Sequence, residues 1–183
     1  MKILITGSSG LIGQALTKHF SHSSAQLLLT TRKEPKTSEH VKWSAEEGFA
    51  PADLERIEGV DVVIHLAGES VFGIRWSEEK KAAIRDSRVR GTKSIVDAIA
   101  SLATKPSVFI SASAIGYYGD RDDEILTEAS PAGNTFLSEV CREWEAESRR
   151  AEDLGVRTVL LRNGIVLSKE GGALATMILP FKF

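Results

Sequence analysis

Short apolar runs alternate along this chain with segments in which apolar residues recur every three or four positions. The runs are rich in β-branched residues, as strands buried on both faces are, and they begin near residues 2, 26, 41, 61, 107 and 156. The segments with helical spacing lie at residues 11–20, 52–57, 77–103 and 135–154. Because strands alternate with helices, the pattern predicts an α/β fold with a doubly wound parallel sheet and helices on both faces.

A turn with regularly spaced glycines follows the first predicted strand. Between a strand and a helix, this three-residue spacing is a dinucleotide-binding fingerprint, in which backbone amides at the helix N-terminus bind phosphate. Gly7 permits a tight turn, Gly10 lets a pyrophosphate approach the backbone, and Gly13 lets the helix pack on the strand. The alternative is a tight turn that binds no ligand. The cofactor-binding residues predicted here are Gly7, Ser9, Gly10, Leu11, Ile12 and Gly13.

The residues after the second predicted strand bear on the choice of cofactor. In dinucleotide folds that bind NAD, an acidic residue near this strand end accepts hydrogen bonds from the ribose 2′-hydroxyl. In this chain Thr31, Arg32 and Lys33 come before the first acidic residue, Glu34. Two cations and a hydroxyl suit a 2′-phosphate and favour NADP over NAD. The alternative is that Arg32 and Lys33 are only solvated loop charges.

The strand that begins at Asp61 supplies further cofactor contacts. It ends in a turn formed by Leu66, Ala67 and Gly68, over which the cofactor backbone is expected to lie closely. His65 stands inside the apolar run of the same strand. We therefore expect a hydrogen-bonded core histidine there rather than a catalytic one.

Arg88 lies among apolar residues on the inner stripe of the predicted helix 77–103. A guanidinium at such a position needs an anionic partner or strong hydrogen bonds, because an unpaired buried charge is costly. Cofactor phosphate or substrate would supply the anion, and an internal carboxylate is the alternative. Gly91 on the same stripe predicts the close approach of another backbone, and Ser77 is the predicted N-cap.

Composition narrows the classes of function. The 183 residues suit one domain, and a net charge of −2 gives no basic field for nucleic acid or an anionic membrane. The single Cys141 excludes a disulfide framework and a multi-cysteine metal site, and no metal site is predicted. No apolar run reaches membrane-spanning length and no secretion signal is evident, so we expect a reducing cytoplasm.

Hydroxyl side chains are concentrated after the fifth predicted strand, at the expected ligand-binding end of the sheet. Ser113, Tyr117 and Tyr118 are the catalytic candidates in this loop. The helix that follows, 135–154, places Cys141 on its inner stripe, where a buried thiol is expected. The charged residues between the stripe positions are predicted to form the solvated face of that helix.

These motifs together resemble the extended short-chain dehydrogenase/reductases. The turn Thr6–Gly13 and the strand ends His65–Gly68 and Ser111–Ser113 carry that resemblance. Other stretches resemble one atypical branch, the NAD-dependent epimerase/dehydratase or nucleotide-sugar epimerase-like family: Leu66–Glu69, Arg75–Trp76, Ser87–Arg88, Ser113–Gly119, Ser130–Gly133, Val140–Glu145 and Gly171–Leu174. The resemblance implies a Rossmann-type NAD(P)-binding domain over residues 1–183, followed in relatives by a smaller substrate-binding part.

One departure from the family concerns proton transfer. The family normally uses a Tyr-x-x-x-Lys pair, in which the lysine lowers the tyrosine pKa so that the tyrosine can exchange a proton. Phe136 and Val140 stand at those positions, and neither can transfer a proton. The resemblance assigns Ser113 to polarising the substrate, with Tyr117 and Tyr118 as further candidates.

Arg88 stands where extended family members often have a ligand-facing asparagine, so the resemblance favours cofactor or substrate contact for it. The leading hypothesis is an NADP(H)-binding epimerase-like protein or oxidoreductase that acts on a sugar nucleotide or a small carbonyl compound. The alternative is a non-catalytic NADP-binding or redox-sensing protein, as the missing pair indicates. An interaction module without cofactor is the third hypothesis, and homo-oligomerisation is left open.

Overall fold

Six parallel strands form a single sheet in the order β3-β2-β1-β4-β5-β6. The computed structural model describes residues 1–71 and 76–178; Arg75 and the residues after Ile178 lie outside them. The strands are β1 Lys2–Thr6, β2 Gln26–Thr31, β3 His40–Lys42, β4 Val62–His65, β5 Val108–Ala114 and β6 Arg157–Asn163, with a short β7 at Leu167–Ser168. The predicted doubly wound parallel sheet is confirmed, and its strand order is the one found in dinucleotide-binding folds.

Five α-helices connect or flank the strands of the described chain. They are α1 Leu11–Phe20, α2 Pro51–Ile57, α3 Glu78–Ser101, α4 Phe136–Arg149 and α5 Gly172–Met177, with 3-10 turns at Ile115–Tyr117 and Glu152–Leu154. Ser77 caps α3 as predicted, because its side chain accepts a hydrogen bond from the Lys80 amide. Helix α4 is shorter than the predicted 135–154, since the chain tightens into the second 3-10 turn before Gly155 reverses it at φ 76°.

Apolar side chains from both faces of the sheet form two cores. On one face Leu4 and Val63 pack with Ile95 and Ile99 of α3. On the other face the core contains Ile3, Ile5 and Ile64, against which α1 packs Leu16 and Phe20. Neighbouring residues of β1 thus enter opposite cores, as the two-residue period of a strand requires.

The prediction that another backbone approaches Gly91 closely is wrong, because its nearest neighbours are side chains. A Cβ at this position would lie 3.4 Å from the Ala45 Cβ and 3.6 Å from the Trp43 ring. Two side chains from the segment after β3 therefore approach the helix, where the sequence predicted a backbone. Among the described residues, no helix has the length and apolarity needed to cross a membrane.

The parallel register places the carboxyl ends of the central strands side by side. Thr6 at the end of β1 pairs with His65 of β4, and His65 pairs with Ser111 of β5. At the edge of the sheet, Ser113 of β5 pairs with Arg162 of β6. Chemically active side chains from four strands consequently meet at one end of the sheet.

Candidate functional site

A cleft of about 710 Å³ opens at the carboxyl ends of β1, β2 and β4. Eight of the twelve predicted cofactor residues line it: Gly7, Ser9, Gly10, Thr31, Arg32, Leu66, Ala67 and Gly68. Leu11, Ile12, Gly13 and Arg88 do not line it. Lys33, the second cation named with Arg32 in the sequence, also lines it. Further lining residues, which were not among the predicted site residues, include Ser8, Thr30, Trp43, Glu46, Glu69, Asp86 and Ser87.

The glycine turn has a backbone that admits no side chain at two positions. Gly7 adopts φ +70°, and a Cβ there would lie 2.8 Å from the Ala67 amide nitrogen. At Gly13 a Cβ would lie 2.3 Å from the carbonyl oxygen of Gly7. Gly10 is the N-cap of α1, where no side chain caps the helix. The first turn of α1 therefore has no side-chain cap, and its start lies beside the cleft-lining residues Ser9 and Gly10. Such a helix start fits the phosphates of a dinucleotide.

Thr6 connects the turn to the strand end opposite it. Its hydroxyl oxygen accepts hydrogen bonds from the amides of Leu66, at 3.1 Å, and Ala67, at 3.2 Å. It also lies 2.7 Å from Nδ1 of His65. Since the oxygen already accepts twice, its own proton is donated to Nδ1, which places the His65 proton on Nε2. The loop that lines the cleft is thereby fixed to β1.

His65 is the buried core histidine that the sequence predicted. Its side chain is fully buried, and its ring lies perpendicular to that of Trp43 with centroids 5.8 Å apart. Nε2 has no hydrogen-bond partner among the described residues. Burial lowers the pKa of His65 from 6.5 to about 3. The ring is therefore neutral at physiological pH.

The end of β2 presents two cations to the cleft. Arg32 and Lys33 are exposed lining residues, and neither forms an ion pair within the described part of the chain. Thr31 shapes this corner by accepting a hydrogen bond from the Lys33 amide at 3.2 Å. Glu34, the first acidic residue after the strand, pairs with Lys42 instead. The positive charge of Arg32 and Lys33 is consequently available to a ligand.

Arg88 lies under the loop that lines the cleft. Its Nη1 donates to the carbonyl oxygens of Glu69, at 2.9 Å, and Ile84, at 3.1 Å. Its guanidinium carbon lies 5.2 Å from the centre of the Trp144 ring. Burial lowers the pKa of Arg88, yet the described residues form no ion pair with it. Backbone carbonyls and an aromatic face therefore solvate this cation. The internal carboxylate considered from the sequence is represented by Glu69, whose charge acts on Arg88 and raises its pKa without a direct ion pair among the described residues.

A second polar cluster, which we call the β5–β6 cluster, contains Ser113, Tyr117, Tyr118, Glu145 and Arg162. Ser113 Oγ donates to Glu145 Oε1 at 2.6 Å. Arg162 donates two hydrogen bonds to the same carboxylate, from Nε to Oε1 at 2.8 Å and from Nη2 to Oε2 at 2.9 Å. Burial by itself raises the pKa of Glu145, but hydrogen bonds from Arg162 and Ser113 outweigh it, so the pKa is lowered. The carboxyl group is held ionised.

Glu145 contradicts the expectation that the charged residues of α4 form its solvated face. Its side chain is 6% exposed, and that of Arg162 is 15% exposed. The carboxylate can be buried because a bidentate guanidinium and a serine hydroxyl occupy its oxygens. The two residues are the part of the site that sequence reasoning missed.

Both tyrosine candidates are held by Arg162. The Tyr118 hydroxyl accepts a hydrogen bond from Arg162 Nη1 at 2.9 Å, and the residue is 7% exposed. The Tyr117 ring lies 3.5 Å from the guanidinium carbon, a cation–π arrangement. The structure therefore gives both tyrosines a packing and positioning role around the β5–β6 cluster. Neither lines the cleft.

Helix α4 carries Phe136 and Val140, the residues matched in the sequence to the family's proton-transfer pair. The Phe136 ring packs at an angle against Trp76, with centroids 5.9 Å apart, and Val140 is buried. Cys141 is buried as predicted, and burial raises the pKa of its thiol. The described residues contain no cluster of His, Cys, Asp and Glu that could hold a metal ion.

Comparison with known proteins identifies the family. A sequence model of the NAD dependent epimerase/dehydratase family matches residues 3–180. This chain belongs to that family. The resemblance found in the glycine turn and the strand ends is thereby confirmed, and so is the Rossmann-type fold.

Individual members of the family are similar to this chain over nearly its whole length. The epimerase family protein YfhF of Bacillus subtilis is 38% identical over 188 residues, which cover 100% of this chain and 60% of YfhF. A nucleoside-diphosphate sugar epimerase from Corynebacterium glutamicum superposes with a TM-score of 0.86 at 40% identity, covering 100% of this chain and 38% of that one. Human epimerase family protein SDR39U1, solved with NADPH, gives 0.84 at 30% identity and coverage of 100% and 60%. The chain thus spans between 38% and 60% of the length of these relatives.

Proposed function

We propose that this chain is the NADP(H)-binding part of an epimerase-like protein or oxidoreductase that acts on a sugar nucleotide or a small carbonyl compound. The observation that carries the proposal is the cleft itself. The glycine turn forms one wall, and the cations Arg32 and Lys33, which form no ion pair with the residues that the structure describes, stand at the end of β2. The family membership supports a nicotinamide dinucleotide as the ligand.

Charge and position support NADP over NAD. A 2′-phosphate would meet Arg32, Lys33 and the Thr31 hydroxyl, whereas the first acidic residue after β2, Glu34, pairs with Lys42. The human relative solved with NADPH supports the same choice. Small-molecule chemistry, the absence of nucleic-acid and membrane partners, and a cytoplasmic location stay predictions from the sequence.

When bound, the nicotinamide would supply hydride transfer. The residues of the protein would bind the cofactor, orient it and shield it from water. The glycine turn would hold the pyrophosphate, while Leu66, Ala67 and Gly68 would support the cofactor where they line the cleft. By the family resemblance, Ser113 would correspond to the serine with which relatives polarise their substrate. With Phe136 and Val140 on α4, proton exchange cannot follow the usual tyrosine and lysine route.

The cofactor choice is tested by titrating the full chain with NADPH and NADH and following ligand fluorescence. We expect NADPH to bind more tightly, and Arg32→Ala to narrow the gap by about tenfold or more, since a hydrogen bond to a charged group contributes about 1.5–3 kcal/mol. Lys36→Ala is the matched control, because Lys36 is exposed on the same loop but outside the cleft. Equal affinities for NADPH and NADH in the unmodified chain would refute the assignment.

A second candidate function is a non-catalytic NADP-binding or redox-sensing protein. The observation that favours it is the apolar pair Phe136 and Val140, of which the second is buried. This function predicts NADPH binding without oxidation by any carbonyl compound in a panel followed by cofactor absorbance. Turnover that is lost in Ser113→Ala, with cofactor binding intact, would rule it out.

A further inference from the structure

Three buried side-chain polar atoms have no hydrogen-bond partner among the residues that the structure describes. They are His65 Nε2, Thr92 Oγ1 and Trp144 Nε1. The three residues are 0%, 0% and 4% exposed, in that order. Leaving a buried polar group unpaired is costly, and the large majority of such groups in folded proteins have a partner. Each of these atoms therefore calls for a partner of its own.

His65 and Thr92 lie at the same level of the sheet. His65 shares a face of β4 with Val63, which belongs to the core that also contains Val96 of α3. Helix α3 runs back along the strands, because it leads from the carboxyl end of β4 to the start of β5. Two residues forward along β4 rise by about 6.6 Å, and four residues back along α3 rise by about 6 Å. Starting from Val63 and Val96, these two steps end at His65 and Thr92.

The Trp43 ring supports this placement, because it contacts both elements. Its centroid lies 5.8 Å from the centroid of the His65 ring, and the two rings are perpendicular. The same indole lies 3.6 Å from a Cβ placed on Gly91. Gly91 is the residue before Thr92 on α3. One aromatic ring thus packs against the end of β4 and against this turn of the helix.

Trp144 reaches the same part of the interior from α4. Its ring centre lies 5.2 Å from the guanidinium carbon of Arg88, and Arg88 is one helical turn from Thr92 on the same face of α3. One turn further along α4, Ser148 Oγ donates to Ser111 Oγ at 2.8 Å. Ser111 is in register with the last residue of β4. Helices α3 and α4 therefore bring the three unpaired atoms to one region above β4 and β5.

The three atoms do not satisfy one another. The indole nitrogen of Trp144 can only donate. Nε2 of His65 carries the ring proton, because Nδ1 accepts from Thr6. Two donors need an acceptor, and the Thr92 hydroxyl forms a hydrogen bond with neither of them in the described chain. A water molecule offers two lone pairs to the two donors and has a proton for Thr92 Oγ1.

We propose that one internal water binds these three side chains and that Thr92 acts through it as a positioning residue for the cofactor-binding loop. The hydrogen bonds continue from the water through His65 to the Thr6 hydroxyl. That hydroxyl accepts from the amides of Leu66 and Ala67, which line the cleft. Helices α3 and α4 are thereby joined to the loop on which the cofactor would lie. The effect on NADPH rests on the proposed function, whereas the water site does not.

The water site is tested by NMR on the ¹⁵N-labelled full chain. We expect the Trp144 indole N–H and the His65 Nε2–H to show nuclear Overhauser cross-peaks to water, with the sign of a long-lived bound molecule. The spectra of Trp144→Phe and His65→Gln assign the two signals. Thr92→Val keeps the shape of the side chain but removes one partner of the water, so both cross-peaks should weaken. Thr92→Ser should restore them.

The positioning role is tested by titrating the same proteins with NADPH and following ligand fluorescence. Thr92→Val should weaken NADPH binding by about fivefold, the equivalent of one hydrogen bond. Thr92→Ser should return the affinity to that of the unmodified chain, because the hydroxyl is present again. Thr158→Val is the matched control, since the Thr158 hydroxyl donates to the carbonyl oxygen of Val156 at the start of β6. Its NADPH affinity should be unchanged.

The outcomes separate this inference from the proposed function. The two N–H signals without a cross-peak to water would overturn the water site. NADPH affinity that is unchanged in Thr92→Val, or that Thr92→Ser does not restore, would overturn the positioning role and leave the proposed function standing. Failure of NADPH to bind the unmodified chain would overturn the proposed function and the positioning role together, while cross-peaks to water would still support the site itself.

Discussion

Protonation of His65 is the perturbation that the structure predicts most sharply. The ring is buried, Nδ1 accepts from Thr6, and Nε2 has no acceptor among the described residues. A second ring proton would sit on Nδ1, facing an oxygen whose lone pairs already bind two backbone amides. The folded protein therefore excludes the charged ring, while the unfolded chain accepts it with the ordinary pKa of 6.5.

The free energy of unfolding should fall as the pH falls below 6.5. The folded pKa, about 3, is below the unfolded value of 6.5, so the unfolded state binds more protons throughout this interval and stability rises with pH. One pKa unit corresponds to about 1.36 kcal/mol. At about pH 5 the pH is roughly 1.5 units below the pKa of the unfolded histidine, so protonation stabilises the unfolded state by about 1.5 times that energy. The expected loss between about pH 8 and pH 5 is therefore about 2 kcal/mol from this one residue.

The assay is urea unfolding of the unmodified chain and of His65→Gln at a series of pH values from about pH 8 to pH 5. The variant should be less stable at neutral pH but should lose about 2 kcal/mol less on acidification. His22→Gln, which changes an exposed ring, should leave the pH dependence in place. Carboxyl groups such as Glu145 contribute equally to all three proteins and cancel. Identical pH dependence in His65→Gln and the unmodified chain would refute the reasoning.

Two further predictions concern the turn that forms the cleft. Gly13→Ala should weaken NADPH binding by about 5- to 150-fold, because the new Cβ would lie 2.3 Å from the Gly7 carbonyl oxygen and would force the backbone of the turn to shift. Fluorescence titration measures this affinity. Gly164→Ala is the control and should bind NADPH normally, because a Cβ there would meet no atom within 4 Å. Thr6→Val should lower the free energy of unfolding by about 1–3 kcal/mol for each buried group left unpaired. Urea unfolding measures this loss. Thr158→Val is the control and should lower the free energy of unfolding by less, because the Thr158 hydroxyl donates only to the carbonyl oxygen of Val156 among the described residues.

Local sequence pattern was sufficient for the fold because each strand and helix is specified by its own residues. The apolar run at Ile3–Ile5 and the glycine turn after it need no knowledge of the rest of the chain. The cofactor cleft followed for the same reason, since carboxyl ends of parallel strands meet at one edge. The end of α4 was less predictable, because a 3-10 turn and a helix share the same short-range pattern.

The β5–β6 cluster was harder to predict because its pairing joins residues from different elements. Glu145 stands four residues after Cys141, on the inner stripe of α4, so its position was a signal that the solvated-face interpretation overlooked. Arg162 follows the apolar run of β6, another charge at an inner position. The partner of each residue cannot be identified from the local sequence, because Ser113 comes beside Arg162 only through the register between β5 and β6 in the folded sheet.

Arg162 and Arg88 are both largely buried, but different groups surround their charges. That difference separates their roles. The charge of Arg162 is balanced by a carboxylate at 2.8 Å, so little attraction for a further anion is left. Arg88 donates from Nη1 to two backbone carbonyls and lies against the Trp144 ring, and the Glu69 carboxylate acts on its charge without a direct ion pair among the described residues. Its guanidinium carbon would lie 3.4 Å from a Cβ at Gly68, a residue that lines the cleft. Contact of Arg88 with cofactor or substrate stays a prediction, and its physical basis is a cation beneath the cleft that has no direct ion pair among the described residues.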